Sequence, residues 1–465
     1  MKVAARFMGT VLGLTSLACA EFKMDPDHFG ASIDFGQVMR VDYPATNIND
    51  LQPLNRTGVF LTNSGSYDKR FEVRLTIGGL FWYALPERSA TQTHILFGPG
   101  VGEAQGLYKF GNPEAPTASL QLGLFGHKYN PDAKNLGEYL FRSGAYPGYI
   151  WTGGWSYVNS AAYLAQGIRL NVPMFSGALS HDFTLYMERD ILPAHDLTPA
   201  YLLTWKPTGF LEVGAGLAWQ NGISFKPDSI LQPHDLRNAY SKNSGLPLTD
   251  AERNAPGLSR DSLDYYSFQG FKGMARLSAD IGLLAGLPAN SFKIYSEIAL
   301  LGFKDYPFYY ENKSERMPLM AGINIPTFGL LDMLSFECEY LKSPFKNNIH
   351  SVYINRMPLP LGETENDPTQ YRRELWRARS LAGGSAADTL SFDSLTTRFE
   401  SEATRDDFKW TLYARRKIME GISITAQAAS DHFRPFEIVY ARPKSEPITT
   451  RAKEWYYVLR LEFGI

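Results

Sequence analysis

The sequence predicts an all-β protein, a transmembrane antiparallel β-barrel of about sixteen strands, within a range of roughly fourteen to eighteen, with short periplasmic turns and long extracellular loops. Three observations predict it. The chain ends on AKEWYYVLRLEFGI, in which Trp455, Tyr457, Leu459, Leu461, Phe463 and Ile465 alternate with residues such as Arg460 and Glu462. Upstream, alternating segments come in pairs joined by tight turns, while the connections between pairs are long and polar. An export signal opens the chain, and no later segment is apolar enough to cross a membrane as a helix.

The first twenty residues, MKVAARFMGTVLGLTSLACA, place Lys2 and Arg6 ahead of an apolar run from Phe7 to Leu17 and end on Ala18-Cys19-Ala20. That order of charge, apolar run and small residues is a cleavable secretory signal, with residues 21–465 forming one barrel domain. The alternative is a lipoprotein acylated on Cys19, a processing that favours Leu where Ser16 stands. Of 46 basic residues, loss of Lys2 and Arg6 leaves 44 against 48 acidic ones, a net charge of −4 that offers nucleic acid nothing. Cys338 is then the only cysteine, so no intramolecular disulfide forms and stability rests on packing and backbone pairing. A helical span needs about 18 uninterrupted apolar residues, which nothing after the signal supplies.

The hairpins follow in order. LLTWKPTGFLEVGAGLAW turns at KPTG (206–209), and MARLSADIGLLAGLPANSFKIYSEIALLGF turns at GLPAN. MPLMAGINIPTFGLLDMLSFECEYL turns at PTFG, and FKWTLYARRKIMEGISITAQAAS turns at KIMEG. NVPMFSG and NPEAP supply further short turns upstream. Gly, Pro and Asn provide the backbone angles that such turns demand. The long connections are 84–102, 128–159, 221–265, 304–314, 343–406 and 432–451. The first strand begins near Phe29, the second is expected over 58–63, and strands of about nine to thirteen residues match a tilted crossing. A closed barrel pairs every backbone donor and acceptor with a neighbour, so a chain of modest mean hydropathy can still span a bilayer.

Alternation separates two faces. Outward lie Phe71, Val73, Leu75, Ile77 and Phe81, then Leu120, Leu122 and Leu124, then Leu211, Val213, Ala215, Leu217 and Trp219. Phe292, Ile294, Ile298 and Leu300 continue that face, as do Leu334, Phe336, Cys338 and Tyr340. Inward lie Glu72, Arg74, Arg169, Glu188, Glu212, Lys272, Arg276, Asp280, Lys293, Glu297, Glu337, Glu339, Lys409, Arg415, Arg460 and Glu462 as the candidate pore lining. Unpaired in a dry core these charges would be ruinous, so the enclosed space reads as polar and aqueous. Equal numbers of acids and bases among them imply weak ion selectivity. Trp205, Trp219, Trp410 and Trp455 fall near strand ends on the outward face, where aromatic belts meet membrane interfaces; the alternative is ordinary core tryptophan in a soluble β-sandwich.

On the signal peptide, the hairpin rhythm and the terminal strand WYYVLRLEFGI, the chain resembles outer-membrane β-barrel proteins of Gram-negative bacteria, and more loosely the porins, over its mature length. The last strand is similar to the signal read by the barrel assembly machinery, although such chains usually finish on Phe or Trp and this one adds Gly464 and Ile465 after Phe463. The resemblance implies outer-membrane localisation, contact with membrane lipid and lipopolysaccharide, diffusion of small hydrophilic solutes, and leaves a homo-oligomer open. It also implies that a long loop, here 128–159, folds into the lumen and narrows it. Glu138, Arg142, Tyr146, Tyr149 and Trp151 are the constriction candidates in that loop; the alternative is an ordered cap over the barrel mouth.

Other motifs carry less. TQYRRELWRARSLAGG, in the loop 343–406, places Tyr371, Leu375 and Trp376 on one helical face among Arg372, Arg373, Arg377 and Arg379, reading either as a solvated lid or as a basic surface for lipopolysaccharide. GPGVGEAQG at 98–106 has the glycine density of a phosphate cradle without its strand and helix, and reads as turn. The eight histidines show no metal spacing, no Ser and His pair stands out, and neither cofactor nor enzyme activity is indicated. Two competing functions remain: an uptake channel for hydrophobic compounds, and a barrel that anchors the loops 221–265 and 343–406 as a binding or adhesion platform without conductance.

Overall fold

The computed structural model describes residues 22–24, 28–39, 52–53, 56–83, 95–142, 163–187, 196–223, 239–242, 248, 250–265, 269–303, 312–341, 408–430 and 455–464. Sixteen strands form the wall. They are β1 (His28–Met39), β2 (Arg56–Tyr67), β3 (Phe71–Tyr83), β4 (Ile95–Asn112), β5 (Ala115–His127), β6 (Tyr163–Met174), β7 (Leu179–Met187) and β8 (Leu197–Thr208). The second half comprises β9 (Leu211–Gln220), β10 (Gly270–Asp280), β11 (Lys293–Leu300), β12 (Leu319–Asn324), β13 (Met333–Tyr340), β14 (Phe408–Met419), β15 (Ile422–Ala429) and β16 (Trp455–Gly464). Each pairs antiparallel with its sequence neighbours, and β16 pairs with β1 from Gly30↔Gly464 through Asp34↔Arg460 to Met39↔Trp455. The sheet therefore closes on itself. Closure is what lets hydrophobic surroundings be tolerated, because an open edge would leave a row of unpaired N–H and C=O groups at several kcal/mol each.

Burial follows the alternation. On β9 the outward Ala215, Leu217 and Trp219 are exposed, while the inward Gly214, Ala218 and Gln220 are buried. On β13 the outward Phe336 and Tyr340 are exposed and the inward Ser335, Glu337 and Glu339 buried. A soluble sandwich would bury both sets of apolar residues; here the apolar set is the exposed one across Leu75, Ile77, Leu122, Ile168, Leu277, Ile294, Leu412 and Leu459. The outward tryptophans cluster at the rim with long connections: Trp219 stacks on Phe271 at 5.7 Å, and Trp410 lies 6.3 Å from Trp455. Trp205, exposed, stands near the opposite rim. Cys338 lies half-buried on the outward face, across from Trp410 and Ala321.

Three expectations need correcting. The strands are not uniform: β4 runs 18 residues, whereas β12 has 6 and β11, β13 and β15 have 8 each. Backbone bonds such as Leu301 N–H to Arg316 O (3.0 Å) and Ile325 N–H to Leu334 O (2.8 Å) carry the short ladders past their formal ends. Second, GPGVGEAQG is not a turn but the middle of β4, so the connection ahead of it is shorter than 84–102. Its glycines serve the sheet: Gly100 pairs with Gly78, where a Cβ would strike the Val59 carbonyl oxygen, and Gly102 is the extra residue of a bulge between Ile77↔Val101 and Thr76↔Glu103. Third, the enclosed space is not polar throughout, as described below. Residues 1–21, the loop 343–406 with its Arg-rich segment, and 224–238, 243–247 and 249 of the connection 221–265 lie outside the described residues.

The β14–β15 turn is a point where backbone conformation decides stability. Gly421 has φ +75°, its carbonyl accepts the Gly464 N–H at 2.7 Å, and a Cβ on it would collide with the Gly464 carbonyl oxygen. Gly421→Val is expected to cost about 1–3 kcal/mol. A urea unfolding midpoint of the vesicle-refolded barrel that does not move would show that the last strand is not held there.

Candidate functional site

The stretch after β5 does not leave the barrel. Residues 128–142, ending in the short helix α1 (Tyr139–Arg142), run along the inner faces of β7 to β13. The inner wall makes room with small residues: Ala165, Ala200, Ala218 and Ala299 are buried beneath the loop, and a Cβ on Gly216 would meet Leu140 and Leu202. Leu136, Tyr139, Leu140 and Phe141 fill the space against Tyr186, Leu202, Met274, Tyr295 and Met320. Phe141 sits 5.1 Å from Tyr186, 5.2 Å from Tyr129 and 4.9 Å from His127. Part of the lumen read as aqueous therefore holds an apolar core, because the loop supplies the partner surface that the alternation alone did not reveal.

A loop without regular structure carries backbone N–H groups that must be satisfied once buried. Two wall carboxylates do so. Glu297, in mid-β11, accepts from Tyr129 Oη (2.6 Å), Asn130 Nδ2 (2.8 Å), Glu138 N (3.0 Å) and Tyr139 N (2.9 Å). Glu337, in mid-β13, accepts from Asn135 N (2.9 Å), Leu136 N (2.9 Å), Lys134 N and Tyr295 Oη (2.8 Å). Each ion is thus desolvated but fully coordinated by donors. Tyr139 donates to Glu339 at 3.0 Å. Deeper still, Asp132 takes Ser278 Oγ and Lys293 Nζ, both at 2.7 Å, and Lys293 is the first residue of β11 beside the short-turn rim. The loop consequently reaches well below the mouth. Burial, with the Glu297 carboxylate next in weight, pushes the Tyr129 phenol well above its ordinary value; burial and Glu339 do the same for Tyr139, and both remain donors. Gly137 has φ +81°, and a Cβ there would strike the Met320 methyl group.

Among the inward candidates, Glu297, Glu337 and Glu339 hold the loop, and Lys293 joins them through Asp132. Arg276 and Lys206 both reach Glu212, at 2.6 and 3.2 Å, and Lys272 donates to Gln220 at 3.1 Å. Arg169 binds Asp182 at 2.5 Å. Around the seam, Glu462 is approached by Arg460 (3.8 Å) and Arg415 (3.9 Å) and accepts from Ser423 at 2.9 Å. Lys409 is buried on the same inner face. Asp280 is inward but caps its own turn, accepting from Leu283 N (3.3 Å) and Asn290 N (2.7 Å), so it braces a hairpin rather than lining a passage. Glu138 is fully buried, its carboxylate taking the Asn130 N–H at 3.1 Å, which places it behind the loop rather than on an open face. Glu188, Tyr146, Tyr149, Trp151 and the Arg142 side chain lie outside the described residues.

The side of the lumen away from the loop is lined by β2 to β5. There a cavity of about 450 Å³ opens between Ser64, Ser66, Glu72, Arg74, Glu103, Gln105 and Gln121. Glu72 is tied to Lys109 at 2.5 Å and Arg74 to Glu103 at 3.8 Å; Gln121 donates to Gln105. Sequence reasoning missed Glu103, Lys109, Asp132, Asp182, Tyr129 and Tyr139. Glu103 was hidden inside the glycine run, and Asp182 and Lys109 follow the same alternation as the residues that were found. The other three sit in a loop whose contacts no periodicity encodes.

Replacing Glu297 by Leu would leave four loop donors without an acceptor, at about 1–3 kcal/mol each. The expected result is release of 128–142 with the barrel intact: new protease cleavage within the loop and an unchanged heat-modifiable gel shift. Alkali should act in the same direction. Phenols whose pKa rises on folding favour the docked state below pH 10.0, and that preference drains away as pH climbs past it, so cleavage of the native chain should begin only above pH 10.0.

No family model matches the chain, and no curated protein matches it. Solved structures similar to it include a mutant porin of Rh. blastica, at 8% identity and TM-score 0.40, covering 95% of this chain and 100% of that one. A triple mutant of the Rhodopseudomonas blastica porin gives 7% and 0.41 over the same shares. OmpF of Salmonella typhi in complex with daunomycin gives 8% and 0.43, covering 96% of this chain and 98% of that one. The architecture stands on this chain's own hydrogen-bond register: a closed antiparallel β-barrel of sixteen strands.

Proposed function

We propose that the protein is an outer-membrane channel of porin type that lets small hydrophilic solutes diffuse through its lumen, with the loop after β5 as the constriction. The observation that carries this reading is the division of the lumen. Chain 128–142 occupies the β7 to β13 side down to Lys293, and the β2 to β5 side keeps a polar cavity of about 450 Å³. A barrel of sixteen strands encloses more space than its own side chains fill, and an inserted loop converts that space into a narrower passage without weakening the wall. The Arg142 side chain and, further along the loop, Tyr146, Tyr149 and Trp151 are the further lining candidates. Outer-membrane lipid, lipopolysaccharide and the assembly machinery are the partners such a channel requires. The apolar cluster inside the barrel is covered by the loop, which argues against an open greasy conduit for hydrophobic compounds.

Charges on the inner wall are mostly matched within it, as in Arg276 with Glu212, Arg169 with Asp182 and Lys109 with Glu72. A wall neutralised in this way favours neither ion sign strongly. In planar bilayers the protein should show discrete conductance steps with a reversal potential near zero under a salt gradient. Deleting 130–141 should enlarge the step. Absence of any conductance from correctly refolded protein would sink the channel reading and leave a surface anchor in its place.

A further inference from the structure

At the rim with short connections, three hairpins adjacent in the sheet, β10–β11, β12–β13 and β14–β15, carry apolar tips. Leu283 and Leu284 stand on the first, Phe328 and Leu330 on the second, Ile418 and Met419 on the third, all exposed. Phe328 is 89% and Leu330 81% exposed, and Phe328 is held at φ +51°, a conformation in which a bulky side chain is rarely placed. Around the ring on the far side, the hairpins β2–β3 and β4–β5 are tipped with exposed Asp68, Lys69, Arg70 and Glu114, and Lys69 bridges Glu114 at 3.2 Å. Between the two sectors the β8–β9 tip carries exposed Trp205, Lys206 and Thr208, and the β6–β7 tip carries exposed Met174 and Phe175. The rim is therefore split into an apolar sector and a charged one, nearly opposite each other.

The apolar tips adjoin the apolar outer face. Ile325, beside Phe328, and Phe336, on the same hairpin, are exposed, as are Leu277 on β10 and Ile294 on β11. Charges of both signs are set among the tips: Arg416, exposed, donates its guanidinium to the Gly329 carbonyl and so stands against the Phe328 turn, the exposed Asp332 accepts the N–H of exposed Lys417, and Glu420 is exposed at the third tip. Large apolar side chains interleaved with charged ones fit the boundary between acyl chains and zwitterionic headgroups. We propose that the tips of β10 to β15 are seated in that boundary of the leaflet nearest the short turns, with phospholipid as their partner. The tips of β2 to β5 stand in water, so the barrel axis inclines toward β10 to β15. This seating depends on the outer face being lipid-facing and not on conduction through the lumen.

Single cysteines test it in a background of Cys19→Ala and Cys338→Ala. Phe328→Cys, Leu284→Cys and Lys69→Cys are each labelled with an environment-sensitive nitrobenzoxadiazole dye and refolded into phosphatidylcholine–phosphatidylglycerol vesicles with or without nitroxide-bearing lipid. The expected result is loss of emission with nitroxide lipid at positions 328 and 284 and none at 69, with aqueous iodide giving the reverse order. Equal lipid quenching at all three would overturn the inclined seating, and iodide quenching at 328 without lipid quenching would overturn the lipid partner and place that tip in water. Where a labelled variant fails the gel-shift test of folding, Leu330→Cys replaces one of the apolar tips and Glu114→Cys replaces Lys69→Cys.

Discussion

Everything in this molecule depends on the ladder between its first and last strands. Ten residues of β1, Gly30 to Met39, pair with ten of β16, Gly464 to Trp455, and that register removes the only edges the sheet would otherwise have. Once the edges are gone, each exposed apolar side chain on the wall is compatible with hydrocarbon and each inward polar group is enclosed. The terminal alternation from Trp455 to Phe463 is thus half of a seam, and Arg460 is buried on the inner side of it opposite Asp34.

Closure also creates a problem, since a ring of sixteen strands surrounds more volume than alternate side chains can fill. The chain answers with its own segment 128–142, and the inner wall is shaped to receive it. Small residues on β6, β8, β9 and β11 supply depth, and acids on β11 and β13 supply acceptors for amides that a loop cannot satisfy by itself. A carboxylate suits this role better than a neutral acceptor. It takes four donors at once and attracts them more strongly in a low-dielectric interior, provided none of its lone pairs is left over.

The wall was legible from the sequence because alternation reports a face at every second residue, and burial alternates along β9 from Gly214 to Gln220, along β11 from Ile294 to Ala299 and along β13 from Ser335 to Tyr340. What alternation cannot report is which inward residues meet water and which meet protein. Glu297 and Glu462 read identically in sequence, yet one is enclosed by Tyr129, Asn130 and Tyr139 while the other stays half-buried beside Arg415. The mistake over GPGVGEAQG has a similar origin. Glycine density was taken for a turn, whereas in β4 the glycines permit close strand contact with β3 and a bulge at Gly102. Composition is ambiguous there, and only the partner strand resolves it.

The loop contacts also constrain the order in which the molecule can assemble. Glu297 and Glu337 lie 159 and 202 residues beyond the amides of Glu138 and Asn135 that they hold. Before β11 and β13 are in place, those acids are solvated and the loop has no acceptors, so docking it early would strand both sides in a partly dry space. Forming the neighbouring hairpins first costs little loop entropy, because each closes over a short turn. The inner plug is then a late event that stabilises a wall already built from local pairs, with the long-range carboxylates as its acceptors.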